Sequence, residues 1–355
     1  MSTANSSRSA VARYVASRLG QAVIVLWAAY TVSFLVLYAL PSDPVALKTG
    51  GDASDITPEQ LAALKAKYGL DRPLLVQYVL RLGHALTGDL GTSIDTGRPV
   101  SQVIGEAIPP TLQLAGLGFA IAVLTGAALA VVATFVRSRA LSTFLLGLPP
   151  LGVAIPAFWF GLILIQLFSF QLPLFPAMGD RGFPSLVLPS IALALPTGAM
   201  IAQLLSKSLT AALREPYIDT ARAKGAGGAR IHLGHALRNA ALPALTVTGL
   251  IVGQLLSGTV VTETVFSRPG IGRVTATAVQ QQDIPVVQGV VLFAAVVFVT
   301  VNLVVDLIYP LLDPRIELTS SPRRRRRPRA ATPATTPAPA ESTSVDIDAV
   351  LEEVR

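Results

Sequence analysis

REPYIDTARAKGAGGARIHLGHALRNAALP, residues 214–243, is a polar, basic island between two long apolar runs. Its first part reads as a short helix over residues 216–224. Pro216 suits the first helical position, Asp219 lies near the positive end of the helix dipole, and Lys224 falls in the last turn before a stop at Gly225. About nine residues are too few for a helix to stand alone in water, where ~12–15 are marginal, so this one needs a docking surface. Gly225, Gly227 and Gly228 allow a sharp change of direction. The spacing then predicts a second helix, with Leu233, Leu237 and Ala241 on one face and His232, His235 and Asn239 beside them. Pro243 stands where that helix enters the next apolar run.

The rest of the chain is mostly apolar. Of 355 residues, 52% are hydrophobic and only 14% charged, with a mean hydropathy of +0.58. Soluble domains carry about 25% charged residues, and a membrane-crossing helix needs about 20 apolar ones. The composition therefore indicates an all-α polytopic membrane protein. There is no cysteine, so neither a disulfide nor a thiolate metal ligand is available. The net charge of +7 is concentrated. Between residues 207 and 238, Lys207, Arg214, Arg222, Lys224, Arg230 and Arg238 stand against only Glu215 and Asp219, and seven arginines outweigh five acids in the last 38 residues. Such clusters suit the cytoplasmic face of a membrane better than nucleic-acid binding.

Six spans are predicted, with both termini inside the cell. Residues 1–18 form a cytoplasmic N-terminus, and 19–40 the first span. That run is longer than the 7–15 apolar residues of a signal peptide, and no small-residue cleavage site follows. Residues 41–107 carry eight acids against six Lys/Arg and are placed outside as an extracytoplasmic insertion. Within them, residues 57–68 read as a helix ended by Gly69, and 74–86 as another. The second span covers 108–136, with Pro109 and Pro110 at its entry. The third covers 140–170, broken or kinked by Pro149, Pro150 and Pro156. The fourth covers 184–206, and the basic loop that holds most of the island covers 207–239. The fifth (240–262) and sixth (286–309) follow, and residues 310–355 form a cytoplasmic Arg/Pro-rich tail, expected to be disordered and dispensable. Its arginines 323–327 read either as an anionic-lipid patch or as a solvated orientation signal.

Residues 219–225, DTARAKG, resemble the cytoplasmic coupling loop of ABC importer permeases, whose pattern is Glu-Ala-Ala, three residues, then Gly. Asp219, Thr220, Ala221 and Gly225 fall on that pattern. The broad family continues with Ile-x-Leu-Pro, from which His235-Ala236-Leu237-Arg238 departs. HALRNAALP is instead similar to the dipeptide/oligopeptide/nickel branch, as are PSDP (41–44), YGLDRPLLVQY (68–78) and GDLGTS (88–93). The resemblance covers residues 13–317 and not the tail. A large insertion after the first span points to the first, B-type, of that branch's two permeases.

The resemblance implies the type I ABC importer transmembrane fold and a multi-pass subunit of the cytoplasmic membrane. Its partners would be a homologous second permease, two ABC ATPase subunits, an extracytoplasmic substrate-binding protein and membrane lipid. ATP and Mg²⁺ would sit on the ATPases, and no cofactor on this chain. A di- or oligopeptide is the leading substrate, with nickel or another small solute as the alternative. The implied ATPase-coupling residues are Tyr217, Ile218, Asp219, Thr220, Ala221, Lys224 and Gly225, with Tyr217 and Ile218 as apolar anchors.

No phosphate loop, hydrolytic triad or HExxH motif occurs, so the chain is not expected to be an enzyme. His84, His232 and His235 are the only histidines, and His232 and His235 are expected to face headgroups or the partner rather than metal. Gln113, Gln166, Gln203 and Gln254 fall mid-span and read either as a translocation path or as bonds between neighbouring helices. Asp306 is the one ionisable group expected within a span. That scarcity disfavours the rival reading, an ion-coupled secondary carrier. The proline-broken spans likewise disfavour a structural membrane scaffold.

Overall fold

The computed structural model describes residues 2–38 and 71–312, with Glu59, Ala63, Ala66 and Gly69 between them; side chains are described there except at 2–14, 242–252, 256 and 304–312. Contacts gather Ala12–Ile316 into one compact unit, while Met1–Val11 and Glu317–Arg355 make up another. The tail, the PSDP stretch and the side chain of Asp306 lie outside the described residues. Within those residues the only pairing of β type is a single bridge between Thr92 and Pro99.

The helices, in chain order, are α1 (Ser2–Tyr38), α2 (Leu74–Leu86), α3 (Val100–Phe135), α4 (Arg139–Ala154) and α5 (Ala157–Ile165), which runs into a π-helical turn, π1 (Gln166–Gln171). Then follow α6 (Pro184–Ala212), α7 (Pro216–Ala223), the π-helical turn π2 (Arg230–Ala236), α8 (Leu237–Val265), α9 (Ile271–Gln280) and α10 (Ile284–Leu312). Val15–Tyr38, α3, α6 and Ile284–Leu303 are each long and apolar enough to cross a bilayer, and Arg139–Ala154 with Ala157–Gln171 passes as a pair bent by 98°. With 29 residues at about 1.5 Å each, α8 also exceeds the ~30 Å hydrocarbon layer.

Several boundaries differ from the sequence expectations. Pro109 and Pro110 lie inside α3, which starts two turns earlier at Val100 behind Pro99. Pro149 and Pro150 also sit within a helix, and the sharp break falls at Ile155 and Pro156. Each proline removes one backbone donor, but in a helix packed within protein the freed carbonyl can be satisfied locally. α9 was not foreseen, because ten residues between two loops give too short a periodic signal.

α6 is the hub. In its most apolar stretch 72% of the residues are buried, against 22% in α3. Small residues let its neighbours approach: a Cβ built on Gly126 of α3 would stand 2.5 Å from the Gly198 carbonyl oxygen of α6. Gly152 of α4 likewise abuts Ala199, and Gly161 of α5 abuts Phe266. Lipid tails are as apolar as leucine, so membrane helices associate by such close contact rather than by escape from water.

α2 is built inside-out for a helix expected in solution. Its apolar residues Leu75, Val79 and Leu86 are 78%, 65% and 81% exposed, whereas Gln77 is buried and Tyr78 and Arg81 are half-buried. An aromatic cluster holds it to α1: Tyr78 packs against Tyr30 and Phe34, its hydroxyl 2.8 Å from Thr31 Oγ1. Arg81 lies 4.6 Å over the Tyr38 ring.

The Gly126 contact leads to a direct test. Gly126→Val would wedge a branched side chain against backbone, and overpacking costs ~1–3 kcal/mol or more. The purified variant should melt well below wild type, whereas Gly116→Ala, with nothing within 4 Å, should not shift. Equal melting temperatures for Gly126→Val and wild type would show that α3 and α6 do not meet there.

Candidate functional site

The first part of the basic island folds as a short helix packed on the bundle. Pro216 opens α7, and Asp219 and Arg222 pair across one turn at 3.0 Å. The helix ends in a Schellman motif: the Gly225 N–H donates to the Arg222 carbonyl and the Ala226 N–H to the Ala221 carbonyl. Gly225 takes φ +81°, the left-handed conformation that this motif demands and a Cβ resists. Tyr217, Asp219, Thr220 and Lys224 are exposed and Ala221 is half-buried.

Ile218 corrects the sequence expectation. It is completely buried in its own chain, among Leu205, Leu209 and Ala212 of α6, Ala130 of α3, Ile231 and Ala236 of π2, and Ala240 of α8. It therefore offers no anchor to a partner; it is the pin that fixes α7 to the ends of three long helices. Tyr217, one residue earlier, projects away and is 37% exposed.

The second helix of the island also differs. Its first part is the wide turn π2, and its buried residues are Ile231, Ala236 and Ala240, while Leu233 is 56% exposed. A π turn adds a residue per turn, so a face drawn at 3.6-residue spacing slips off the observed one. His232 does not point at headgroups or a partner. Its Nε2 lies 3.2 Å from the Thr134 carbonyl, and its ring meets Phe135 edge-on at 5.0 Å. His235 is exposed.

Gln113, Gln166, Gln203 and Gln254 are all exposed on this chain, and none makes a side-chain hydrogen bond to a neighbouring helix among the described residues. The helix-to-helix role is thus not observed, and the structure does not gather the four into one cavity. No group of three His, Cys, Asp or Glu side chains placed to hold a metal occurs among the described residues.

At the opposite end of the bundle lies a polar clasp that sequence reasoning missed. Glu263, on the last turn of α8, is fully buried. Its Oε1 accepts from the Thr111 hydroxyl at 2.6 Å, and its Oε2 from the N–H groups of Gly272 (2.7 Å) and Arg273 (3.3 Å) at the start of α9. Thr111 Oγ1 in turn accepts from the Ile271 N–H. The carboxylate thus sits on the positive end of a helix dipole with its oxygens satisfied, which is what makes a buried charge tolerable. Arg268, also fully buried, donates to the carbonyl and hydroxyl of Ser185 at the start of α6 and lies 3.4 Å from Asp180. Asp283 accepts from the Ser93 hydroxyl and the N–H groups of Ile94 and Asp95, holding the 88–99 loop to the start of α10. Glu263 lies one residue beyond the predicted fifth span, so it escaped notice as an intramembrane acid; the motif Arg268-Pro269-Gly270 beside it was the available signal.

Residues 118–318 match the sequence family described as "Binding-protein-dependent transport system inner membrane component", and residues 11–115 match its N-terminal family. The chain belongs to this family. It is an ABC importer permease of the type I fold, a membrane transport component. A Brucella abortus protein named as a peptide transport system permease is 37% identical over 310 residues, covering 85% of this chain and 98% of its own. A Salmonella paratyphi A protein named glutathione transport system permease protein GsiC is 37% identical over 303 residues, with the same coverage. A solved structure titled as an amino acid ABC transporter with histidines aligns with 61% of the permease at a TM-score of 0.45 and 17% identity.

Two substitutions probe the two ends of the permease. Ile218→Ala should cost ~2–5 kcal/mol of local packing and Ile218→Val only ~0.5–1.5, read as faster amide exchange across α7. Thr111→Val leaves the buried Glu263 oxygen and the Ile271 N–H without partners, each worth ~1–3 kcal/mol, while Thr111→Ser keeps both bonds. The melting temperature should fall for the valine variant and stay near wild type for serine; the same drop in both would assign the loss to packing instead.

Proposed function

We propose that this permease is the first of two homologous transmembrane subunits of an ATP-driven importer that brings di- or oligopeptides across the cytoplasmic membrane. Both its termini face the cytoplasm. One of two ABC ATPases docks on the exposed face of α7 around Tyr217 and Thr220 and the other beneath the second permease, and ATP with Mg²⁺ binds to them, not to this chain. An extracytoplasmic binding protein delivers the peptide to the clasp end. When ATP closes the ATPases, α7 moves. Because Ile218 is locked among α3, α6, π2 and α8, the long helices move with it and turn the pathway outward.

The observation that carries this reading is the division of labour on one helical turn. Tyr217 is presented to a partner while its neighbour Ile218 is sunk into the bundle, the arrangement needed to convert docking into tilt. The peptide class is supported by the names of the relatives, and the orientation by the basic residues gathered around α7. The exposed glutamines Gln113, Gln166, Gln203 and Gln254 suit a pathway completed by the second permease.

The test is reconstitution of the four-subunit assembly with its binding protein, followed by peptide uptake and peptide-stimulated ATP hydrolysis. Tyr217→Ala should weaken ATPase association and Gly225→Val should distort the end of α7, since a left-handed residue with a Cβ costs ~1–2 kcal/mol. Both should insert normally yet lose most uptake. Wild-type uptake and ATPase association in both variants would remove the coupling claim, and stimulation by a nickel chelate but by no peptide would reassign the substrate.

A further inference from the structure

A cavity of about 360 Å³ opens between the 93–98 turn, the start of α3 and one side of α9, at the clasp end of the bundle. Small-molecule sites typically measure ~300–1,000 Å³. Asp95, Arg98, Glu106, Arg273 and Asp283 put charges of both signs into its wall. Asp283 is occupied by the Ser93 hydroxyl and the N–H groups of Ile94 and Asp95. Arg98 and Gln102 both donate to Oε1 of Glu106, and Oε2 receives no bond among the described residues. Arg273 is exposed, gives one N–H to the Ser267 carbonyl and joins no ion pair among those residues. One carboxylate oxygen and the remainder of one guanidinium thus line the same space. Charge-assisted bonds of these two kinds suit a ligand that carries both a carboxylate and an ammonium group.

The cavity leads into the membrane along α3. Gln102, Glu106, Pro109, Gln113, Gly116 and Ala120 follow one another at alternating spacings of four and three residues, which places them on one face of that span, and all six are exposed. A face turned to lipid would be apolar, because an amide or carboxylate there loses water without gaining a partner. This face is polar or small over about five turns, as the border of a solute path would be. Glu106 belongs both to the stripe and to the cavity wall, so the cavity is the mouth of that path.

We propose that this cavity binds a short, unblocked peptide at the outer mouth of the pathway, with Arg273 on its carboxylate and Glu106 on its ammonium group. The assignment rests on the peptide-importer reading and gives it a chemical basis. The two ends of a peptide carry the same charges whatever its side chains, so a site that reads the ends accepts many sequences.

Photo-cross-linking of the assembled transporter in nanodiscs, without its binding protein, provides the test. The probe is p-benzoylphenylalanyl-alanine, which should label residues 93–107 or 271–281. Alanyl-alanine should compete for that labelling, and its N-acetyl and its C-terminal amide forms should compete far less well. Arg273→Gln should weaken competition by alanyl-alanine about tenfold or more, since a hydrogen bond to a charged group is worth ~1.5–3 kcal/mol and ~1.4 kcal/mol is one decade. In that variant the amide form should compete as well as the free peptide, and Arg273→Lys should restore the preference. Glu106→Gln should erase the penalty on the N-acetyl form in the same way. Thr277→Phe, one turn along α9, fills the cavity with both charges in place and should abolish labelling. Unchanged labelling and competition in monodisperse Arg273→Gln and Thr277→Phe would dismiss the site. If those variants instead lost only their association with the binding protein, the cavity would be a docking socket and not a peptide site. Import of a short-peptide mixture by the complete wild-type assembly separates the two readings: import without labelling of these segments removes the site alone, and no peptide import removes both.

Discussion

The contact on which this permease depends is backbone against backbone, Gly126 of α3 against the Gly198 carbonyl of α6. In a bilayer the burial of apolar side chains gives helices little reason to associate, so close approach must supply dispersion over a long seam. Once α3 and α6 lie that close, the remaining helices find their places on α6. α4 packs at Ala199, α5 and Phe266 near Ala192, and α8 with Gly258 against Leu193. A side chain at Gly126 would part the pair that all the others assume.

This arrangement makes α6 a strut between two specialised ends. Ser185, in its first turn, receives the buried guanidinium of Arg268, and Leu205 and Leu209, near its last, hold Ile218. The helix has 29 residues, about 43 Å at 1.5 Å each, so under the proposed coupling a tilt imposed at α7 would reach the clasp without any chain of side-chain rearrangements. Rigid-body rotation of packed elements is the economical way to link sites so far apart, because close-packed interiors shift as units.

One backbone device recurs at both ends. α7, α8 and α9 all stop in a Schellman motif, with Gly225, Ser267 and Gln282 left-handed in turn. The side chain of the residue that follows reaches a neighbouring segment: Ala226 the Ile218 cluster, Arg268 Ser185, Asp283 the 93–95 turn. Two of the three left-handed positions are not glycine, so α8 and α9 carry a conformational cost of ~1–2 kcal/mol each, offset by the hydrogen bonds that their buried charges make.

The residues alone were enough to read a helical membrane protein, the bounds of α7 and the left-handed stop at Gly225, because each rests on local composition or on a few neighbouring side chains. They also pointed to the importer family through DTARAKG and HALRNAALP. What they did not contain was decided through space. Whether Ile218 faces a partner or its own bundle depends on Leu205, Leu209 and Ile231, none of which is its neighbour in sequence. The face of the second island helix slipped because π2 departs from the 3.6-residue period on which the reading relied. Glu263, Arg268 and Asp283 carry no local sign of burial, since their partners Thr111, Ser185 and Ser93 come from segments about 80–190 residues away and only the packed bundle brings them close enough to replace water. α2 was read as a helix from its sequence; that its apolar face turns outward was settled by the aromatic contacts of Tyr78 with α1. A periodic pattern defines a helix and its stripe, but which side of the stripe is covered is a property of the neighbours.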